Sequence, residues 1–246
     1  MVDRLKTAAL ASLLHDVGKV NYRAGGEKKS HSLLGSDFLR PFCEGSEAGG
    51  AILRCVRYHH GRDLSGARLA VDDLAYLVYE ADNIAAGADR RDKADGKETF
   101  SFDPSICLEN VFNVFEETKK EEKSYFPLKE LDTREEPNYP VRNTSLVATP
   151  GKYQTIVNDL KANFQRKAPQ DMEPDELLRI LEDTVSFVPS STDRNQVADI
   201  SLYDHVKMTA AIGTSLFRYL ESQGIHNYKD YCFTHGKDHR REKNML

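Results

Sequence analysis

Apolar residues recur at three- and four-residue steps through most of the chain, the spacing that lines them along one face of an α-helix. The first ninety residues read as helical throughout, with patterns over about 2–17, 31–41, 48–60 and 70–86. Leu10, Leu13, Leu14 and Val17 make the stripe of the first, and Leu74, Leu77, Val78, Ala81 and Ile84/Ala85 that of the last. Turn-forming pieces separate them: Arg23-Ala24-Gly25-Gly26, Pro41 to Gly45, and Gly61 to Gly66. The polar stretch from Gly87 to Pro104 predicts a surface loop. Aromatic and proline-rich pieces between 106 and 150 (VFNVF, YFPLKELD, EEPNYPV) predict short strands or an irregular connector. Helical patterns resume over about 150–167, 173–187 and 202–222, the last with Met208, Ile212, Leu216 and Leu220 on one stripe. The expected fold is mostly α with a small irregular or β-containing insertion. Its parts are a helical core over 1–90, a connector over 91–150, a completing helical part over 151–222 and a basic tail over 223–246.

Composition narrows the class without naming a chemistry. A chain of 246 residues, 39% hydrophobic and 30% charged, can bury a sizeable core in one large domain or two small ones. Its net charge of −5 excludes a generally basic nucleic-acid binder but leaves room for a local basic groove. No run approaches the eighteen or so apolar residues of a membrane helix, so no membrane partner is expected. The opening residues superficially have the charge-then-apolar order of a signal peptide. Their apolar residues fall on one helical face, however, and no small-residue cleavage site follows. The four cysteines, Cys43, Cys55, Cys107 and Cys232, form no CxxC pair. That argues against a disulfide framework or zinc knuckle and fits a reducing cytoplasm.

Candidate chemistry starts at His15-Asp16. By composition alone, about 0.7 such doublets are expected in this chain, so the doublet itself decides nothing. Its place matters more: it ends an amphipathic helix and precedes Val17-Gly18-Lys19, where the chain can turn sharply. An imidazole, a carboxylate and an ammonium then share one helix end. A divalent ion can take imidazole nitrogen and carboxylate oxygen there, while Lys19 offers a point charge to a phosphate. The plain alternative is a charged helix end with no ligand. His59-His60 closes a helix before Gly61, and both rings can face one site only where that helix unwinds. His31 opens another helix. Asp82 lies beside an apolar stripe, a costly place for a carboxylate without a cation, metal or hydrogen-bond partner. His205 stands three residues before Met208 and is expected on the same inward face, whereas Asp204 reads as an N-terminal charge favouring the helix dipole. Five histidines and two aspartates at helix ends or apolar faces could hold one or two metals, bridged by Asp16. So much imidazole favours manganese, nickel, cobalt, iron or zinc over magnesium.

The strings ALASLLHDVGKVNYRAGG, HSLLGSDFL, VRYHHG and YEADNIAAGADRR, with SLYDHVKMTAAIGTSLFRYL near the end, carry a family resemblance. Together they resemble the HD nuclease domain of the large subunit of type III CRISPR effector complexes, Csm-type, subtype III-A. The resemblance covers 1–90 and 200–246, and the middle matches only in pattern. It implies a circularly permuted HD domain, in which a helix near the C-terminus supplies the histidine that usually precedes the doublet. It further implies His15, Asp16, Asp82 and His205 as core ligands, with His31, His59 and His60 serving a second metal or phosphate contacts. The expected metal is manganese, nickel or cobalt, with one or two ions. The expected substrate is single-stranded DNA, cut when the complex's guide RNA pairs with target RNA, with other subunits of the complex as partners. The family's palm domains and Gly-Gly-Asp-Asp motif are absent from these residues, so the chain is expected to be the first part of a longer subunit and no cyclase activity is assigned.

The leading expectation is therefore a metal-dependent deoxyribonuclease, with His15, Asp16 and Lys19 as the catalytic group. Arg62, Arg90 and Arg91 are its candidate backbone contacts, with Lys237, Arg240, Arg241 and Lys243 in the tail; as surface charges, all seven have solvation as the plain reading. One rival is an HD phosphohydrolase acting on nucleotides or small phosphate esters. Another is a docking domain with an idle metal site.

Overall fold

A computed structural model describes residues 3–25, 28–89, 102–115, 119, 122–129, 131, 139–142 and 146–234. The central helix is α1 (Arg4–Leu14), started by Asp3, whose carboxylate accepts a hydrogen bond from the Lys6 amide at 3.0 Å. Every residue from Thr7 to Leu14 is buried, because other helices cover α1 on several sides. Those helices are α4 (Glu47–Tyr58), α6 (Leu74–Asp89), α9 (Pro174–Val185) and α10 (Leu202–Ser222). The short α2 (Gly18–Arg23) packs on α3 (His31–Cys43) and on α8 (Pro150–Arg166), and α5 (Gly61–Gly66) leans on α4 and α6. Serine and threonine start several of these helices as their composition suggests: Ser30, Ser46, Thr149 and Ser201 each accept a bond from an amide in the first turn.

Among the described residues, the insertion between α6 and α8 carries only short elements, as its sequence predicts. Leu108–Glu109 (β1) pairs antiparallel with Tyr125–Phe126 (β2), and Phe112–Phe115 forms a single-turn α7 between them. The expected fold class is thus observed, a helical body with a small β-containing insertion. All four cysteines are buried free thiols, and no helix among the described residues is long and apolar enough to cross a membrane.

Six local expectations need correction. Pro41–Cys43, expected in a turn, continues α3, and Gly87–Asp89, expected in a surface loop whose residues 90–101 lie outside the described ones, ends α6. The first helix ends at Leu14 rather than 17, because the next residues tighten into turns with bonds to the third residue back: Val17 to Leu14 at 3.1 Å, Lys19 to Asp16 at 3.0 Å and Val20 to Val17 at 3.2 Å. The chain then re-enters a helix through Arg23 and is stopped by Gly25 at φ 90°, so the turn begins after Arg23, and Gly26 lies outside the described residues. Gly61 to Gly66 is helical, not a plain turn, because Leu64 anchors that segment in the core. In α10 the inward stripe is Leu202, Val206, Thr209, Ala210, Gly213, Phe217 and Leu220, while Met208 is 48% exposed. Close approach to α1 selects the small residues: a Cβ on Gly213 would lie 2.8 Å from the Ser12 hydroxyl. His205 is buried on that face all the same.

Candidate metal centre

Local backbone geometry delivers each candidate ligand to one point. His15 and Asp16 occupy the bend between α1 and α2. Gly18, just after it, allows α3 to come in: a Cβ there would lie 1.9 Å from the His31 carbonyl oxygen and 2.5 Å from the Gly35 nitrogen. The start of α3, with His31, therefore abuts the doublet. α4 ends at Tyr58, after which His59 keeps near-helical angles (φ −69°, ψ −7°) and His60 turns extended (φ −100°, ψ 135°). That unwinding brings two adjacent imidazoles to the same centre, with ring centroids 4.0 Å apart. Asp82 comes from the middle of α6 and His205 from the first turn of α10, the last α-helix of the described chain.

The donors fall into two groups joined by one carboxylate. Asp16 Oδ2 lies 3.3 Å from His15 Nε2 and 3.3 Å from His205 Nε2, and Asp82 Oδ1 lies 3.5 and 3.2 Å from the same two nitrogens. On the other side, Asp16 Oδ1 lies 3.2 Å from His31 Nε2 and 3.6 Å from His59 Nε2. His31 Nε2 is 2.8 Å from His60 Nε2 and 3.3 Å from His59 Nε2. An ion bound at roughly 2.0–2.2 Å by neighbouring ligands needs donors about 3.0–3.5 Å apart, close to this spacing. The tautomers also suit ligation. His15 Nδ1 donates to the Ser12 carbonyl at 2.7 Å and His59 Nδ1 to the Val56 carbonyl at 2.8 Å, which leaves each Nε2 as the inward atom. His15 Nε2 is buried and faces the Asp16 and Asp82 carboxylates at 3.3 and 3.5 Å, an arrangement that an ion between them would complete. The donor set fits a divalent transition metal at each group.

Electrostatics within the cluster are strongly coupled. Burial opposes charge on His15, but the charges and hydrogen bonds of Asp16 and Asp82 outweigh it and raise its pKa to about 9. Burial likewise works against ionised Asp16 and Asp82. Lys19 and His15 nevertheless hold Asp16 well below the usual carboxylate range, and hydrogen bonds from His15 and His205 do the same for Asp82. Burial and the neighbouring His60 keep His59 neutral, and burial with His31 lowers His60 to about 4. A ligand nitrogen must be proton-free. With a folded pKa near 9, His15 holds a proton at pH 7 that an entering ion must displace. Apparent affinity for manganese is therefore expected to rise about tenfold per pH unit from 6.5 to 8.5, with proton release. Calorimetric titrations in two buffers of different ionisation enthalpy measure both. An affinity flat across that range would show that His15 holds no proton for the ion to displace.

The cluster lies at the edge of a cleft of about 540 Å³, lined by Asp16, Lys19, His31, His60, Asp82 and His205 from the centre itself. Lys19 bridges centre and wall, with its ammonium 2.6 Å from Asp16 Oδ2 and 3.0 Å from the Ser190 carbonyl. Arg23, one turn on, donates to the Pro189 carbonyl at 2.6 Å and lies over the Tyr153 ring. Sequence reasoning missed Arg23 and the 189–200 segment that forms the far wall. Only the proximity of Arg23 to the doublet could have suggested it. Asp204 is exposed in the first turn of α10, where a negative charge favours the helix dipole as expected, and accepts from the hydroxyl of the Ser201 cap at 2.7 Å. Arg62 is exposed on α5 and does not line the cleft, whereas Arg90, Arg91, Lys237, Arg240, Arg241 and Lys243 lie outside the described residues.

A family model described as the HD domain matches residues 2–87. The chain is 36% identical over 227 residues to a protein of Streptococcus thermophilus named CRISPR system single-strand-specific deoxyribonuclease Cas10/Csm1 (subtype III-A). That match takes in 91% of this chain and 29% of the relative. A protein of the same name from Mycobacterium tuberculosis is 34% identical, covering 100% of this chain and 33% of the relative. The chain thus spans about a third of the length of these relatives. Among solved structures, Csm1 of T. onnurineus superposes with a TM-score of 0.64 at 30% identity, over 87% of this chain and 29% of that one. A Csm1–Csm4 subcomplex of the type III-A CRISPR-Csm interference complex gives 0.62 at 29% identity, over 87% and 28%.

Proposed function

We propose, from the premise that this chain is an HD-domain relative of the subtype III-A Cas10/Csm1 proteins, that it is a metal-dependent nuclease domain hydrolysing phosphodiester bonds of single-stranded DNA. The observation that carries the reading is Asp16, whose two oxygens face two separate sets of imidazoles at ligand spacing. His15, Asp16, Asp82 and His205 would hold one ion. His31, His59 and His60, with the second oxygen of Asp16, would hold another, with manganese, nickel or cobalt the best matched. Such ions, when bound, polarise a phosphoryl oxygen and acidify water.

The chain's own groups do the remaining work. Lys19 places a positive charge on the cleft side of Asp16, where it can meet a non-bridging oxygen of the scissile phosphate. His60, with its pKa lowered to about 4, sits at the cleft edge as a neutral imidazole able to ligate an ion. The Asp16–Lys19 pair also fixes both side chains before substrate arrives. The names of the relatives support single-stranded DNA as substrate, and the Csm1–Csm4 structures support a place in a ribonucleoprotein complex. There the chain would meet other subunits directly, and guide and target RNA through the complex.

The test is a substrate panel on the purified protein with manganese, cobalt or nickel. Cleavage of a single-stranded oligonucleotide is expected, with duplex DNA and free nucleotides left intact and activity lost to a chelator. Turnover of nucleotides in preference to the oligonucleotide would replace this reading with a small-substrate phosphohydrolase.

A further inference from the structure

Lys19 and Arg23 stand four residues apart on α2 and so share one of its faces, the one turned to the 189–200 wall. Both send their charge to the same short piece of backbone. The Lys19 ammonium donates to the Ser190 carbonyl at 3.0 Å, and Arg23 donates to the Pro189 carbonyl at 2.6 Å and the Ser190 carbonyl at 3.4 Å. The wall closes on itself at that point: Pro189 bridges antiparallel to Ser201, and the Ser190 amide donates to the Ile200 carbonyl at 2.9 Å. Those bonds tie the segment to the start of α10, and Arg23 fastens it to α2 twice over. Arg23 is 5% exposed, with its guanidinium 5.9 Å from the centre of the Tyr153 ring. Burying a whole positive charge against carbonyls and a ring is a costly way to pack a helix, and an apolar side chain would avoid that cost.

We infer that Arg23 is a positioning residue for Lys19: by fixing the Ser190 carbonyl it sets where the Lys19 ammonium stands, and with it the point at which a substrate phosphate is met. The inference rests on reading Lys19 as the phosphate contact. An ammonium on a four-carbon stem is a movable point charge, whereas a planar guanidinium holds two successive carbonyls at once. Held only by Asp16, at 2.6 Å, the Lys19 ammonium could pivot about that oxygen. The Ser190 carbonyl is its second tether, and it holds only as well as it is itself held. A shift of about 1 Å at a group that orients substrate can cost on the order of 10²-fold in rate.

The first readout needs no turnover. The whole chain is treated with limiting acetic anhydride, and acetylation of each lysine is followed by mass spectrometry of its peptide. The Lys19 side chain is 22% exposed, enough for a small reagent to reach it. Arg23→Gln is expected to speed acetylation at Lys19 about 2- to 10-fold, the weakening of one hydrogen bond. Lys6 and Lys167, paired with Glu173 and Glu176 away from the wall, should react as before. Arg23→Lys, whose ammonium can take one of the two carbonyls, should give a smaller rise, and it carries the test if the glutamine variant does not fold. The second readout is cleavage of a single-stranded oligonucleotide with manganese. Arg23→Gln should lower kcat about 10- to 100-fold, but less than about twofold further where Lys19→Gln is already present. An unchanged acetylation rate at Lys19, a rise shared by Lys6 and Lys167, or equal losses of cleavage in both Lys19 backgrounds would each overturn the inference. A rise confined to Lys19 in a protein that cleaves no oligonucleotide would sink the nuclease reading and leave the hold of Arg23 on Lys19 standing.

Discussion

Asp16→Asn is expected to empty both halves of the centre at once and to lower phosphodiester cleavage at least about 10³-fold. The asymmetry with other ligands follows from the distances. His60 belongs to the His31–His59 group and His205 to the His15–Asp82 group, whereas Asp16 contributes one oxygen to each. An amide of the same shape keeps one neutral acceptor and turns the other position into a donor, which repels an ion. It also removes the negative charge that lifts His15 to about 9 and neutralises Lys19. His60→Ala, by contrast, should reduce activity by roughly 10- to 100-fold, because three donors remain on its side. Metal analysis of the purified variants, beside the cleavage assay, separates the cases. A variant with Asn at 16 that retains a full complement of metal would remove Asp16 from its bridging role.

Gly18→Ala is expected to cost about 3 kcal/mol or more of stability. A Cβ 1.9 Å from the His31 carbonyl oxygen cannot be accommodated by a side-chain rotation, since the obstacle is backbone. α2 and α3 would have to part, and His31 would leave the centre with them. The better helix propensity of alanine returns only about 1 kcal/mol, so the clash decides the sign. For a chain of this size the loss corresponds to a melting-temperature fall of roughly 6–12 °C. Gly35→Ala, where a Cβ would lie 3.0 Å from Gly18 N and from Val56 Cγ1, should cost less. Gly66→Ala, with nothing within 4 Å, should cost almost nothing. Equal melting of the Gly18 and Gly66 variants would refute the close crossing.

The outer helices such as α8 and α9 were legible because their burial is one-sided, and several helix starts are marked. His31, Pro150 and Leu202 are the first residues of the predicted and the observed helices alike, each preceded by a serine or threonine cap. Two features were hidden. The stripe of α10 misleads when read for large apolar residues, because contact with α1 selects Thr209, Ala210 and Gly213 for smallness. α3 runs past Pro41 to Cys43, because a proline this near the C-terminus forfeits a single amide bond. As for the site, residue types and helix-end positions pointed to the seven candidates. That His31 and His60 would meet at 2.8 Å depended on the Gly18 crossing and the extended backbone at His60, neither of which is a property of local sequence. The wall made by 189–200 was invisible for a like reason: its bonds to Lys19 and Arg23 join residues more than 160 positions apart.

The Nδ1 bonds of His15 and His59 carry a consequence for which residues could ever replace them. Each closes a carbonyl in the last turn of α1 or α4 that the helix cannot satisfy itself. Cysteine and aspartate are competent ligands for the same ions, but neither has a second, donating atom on the far side of the ligating one. Either substitute would leave a buried carbonyl unpaired, a cost of about 1–3 kcal/mol at the helix end even if the ion stayed. At these two positions histidine is thus required twice, once by the metal and once by the backbone.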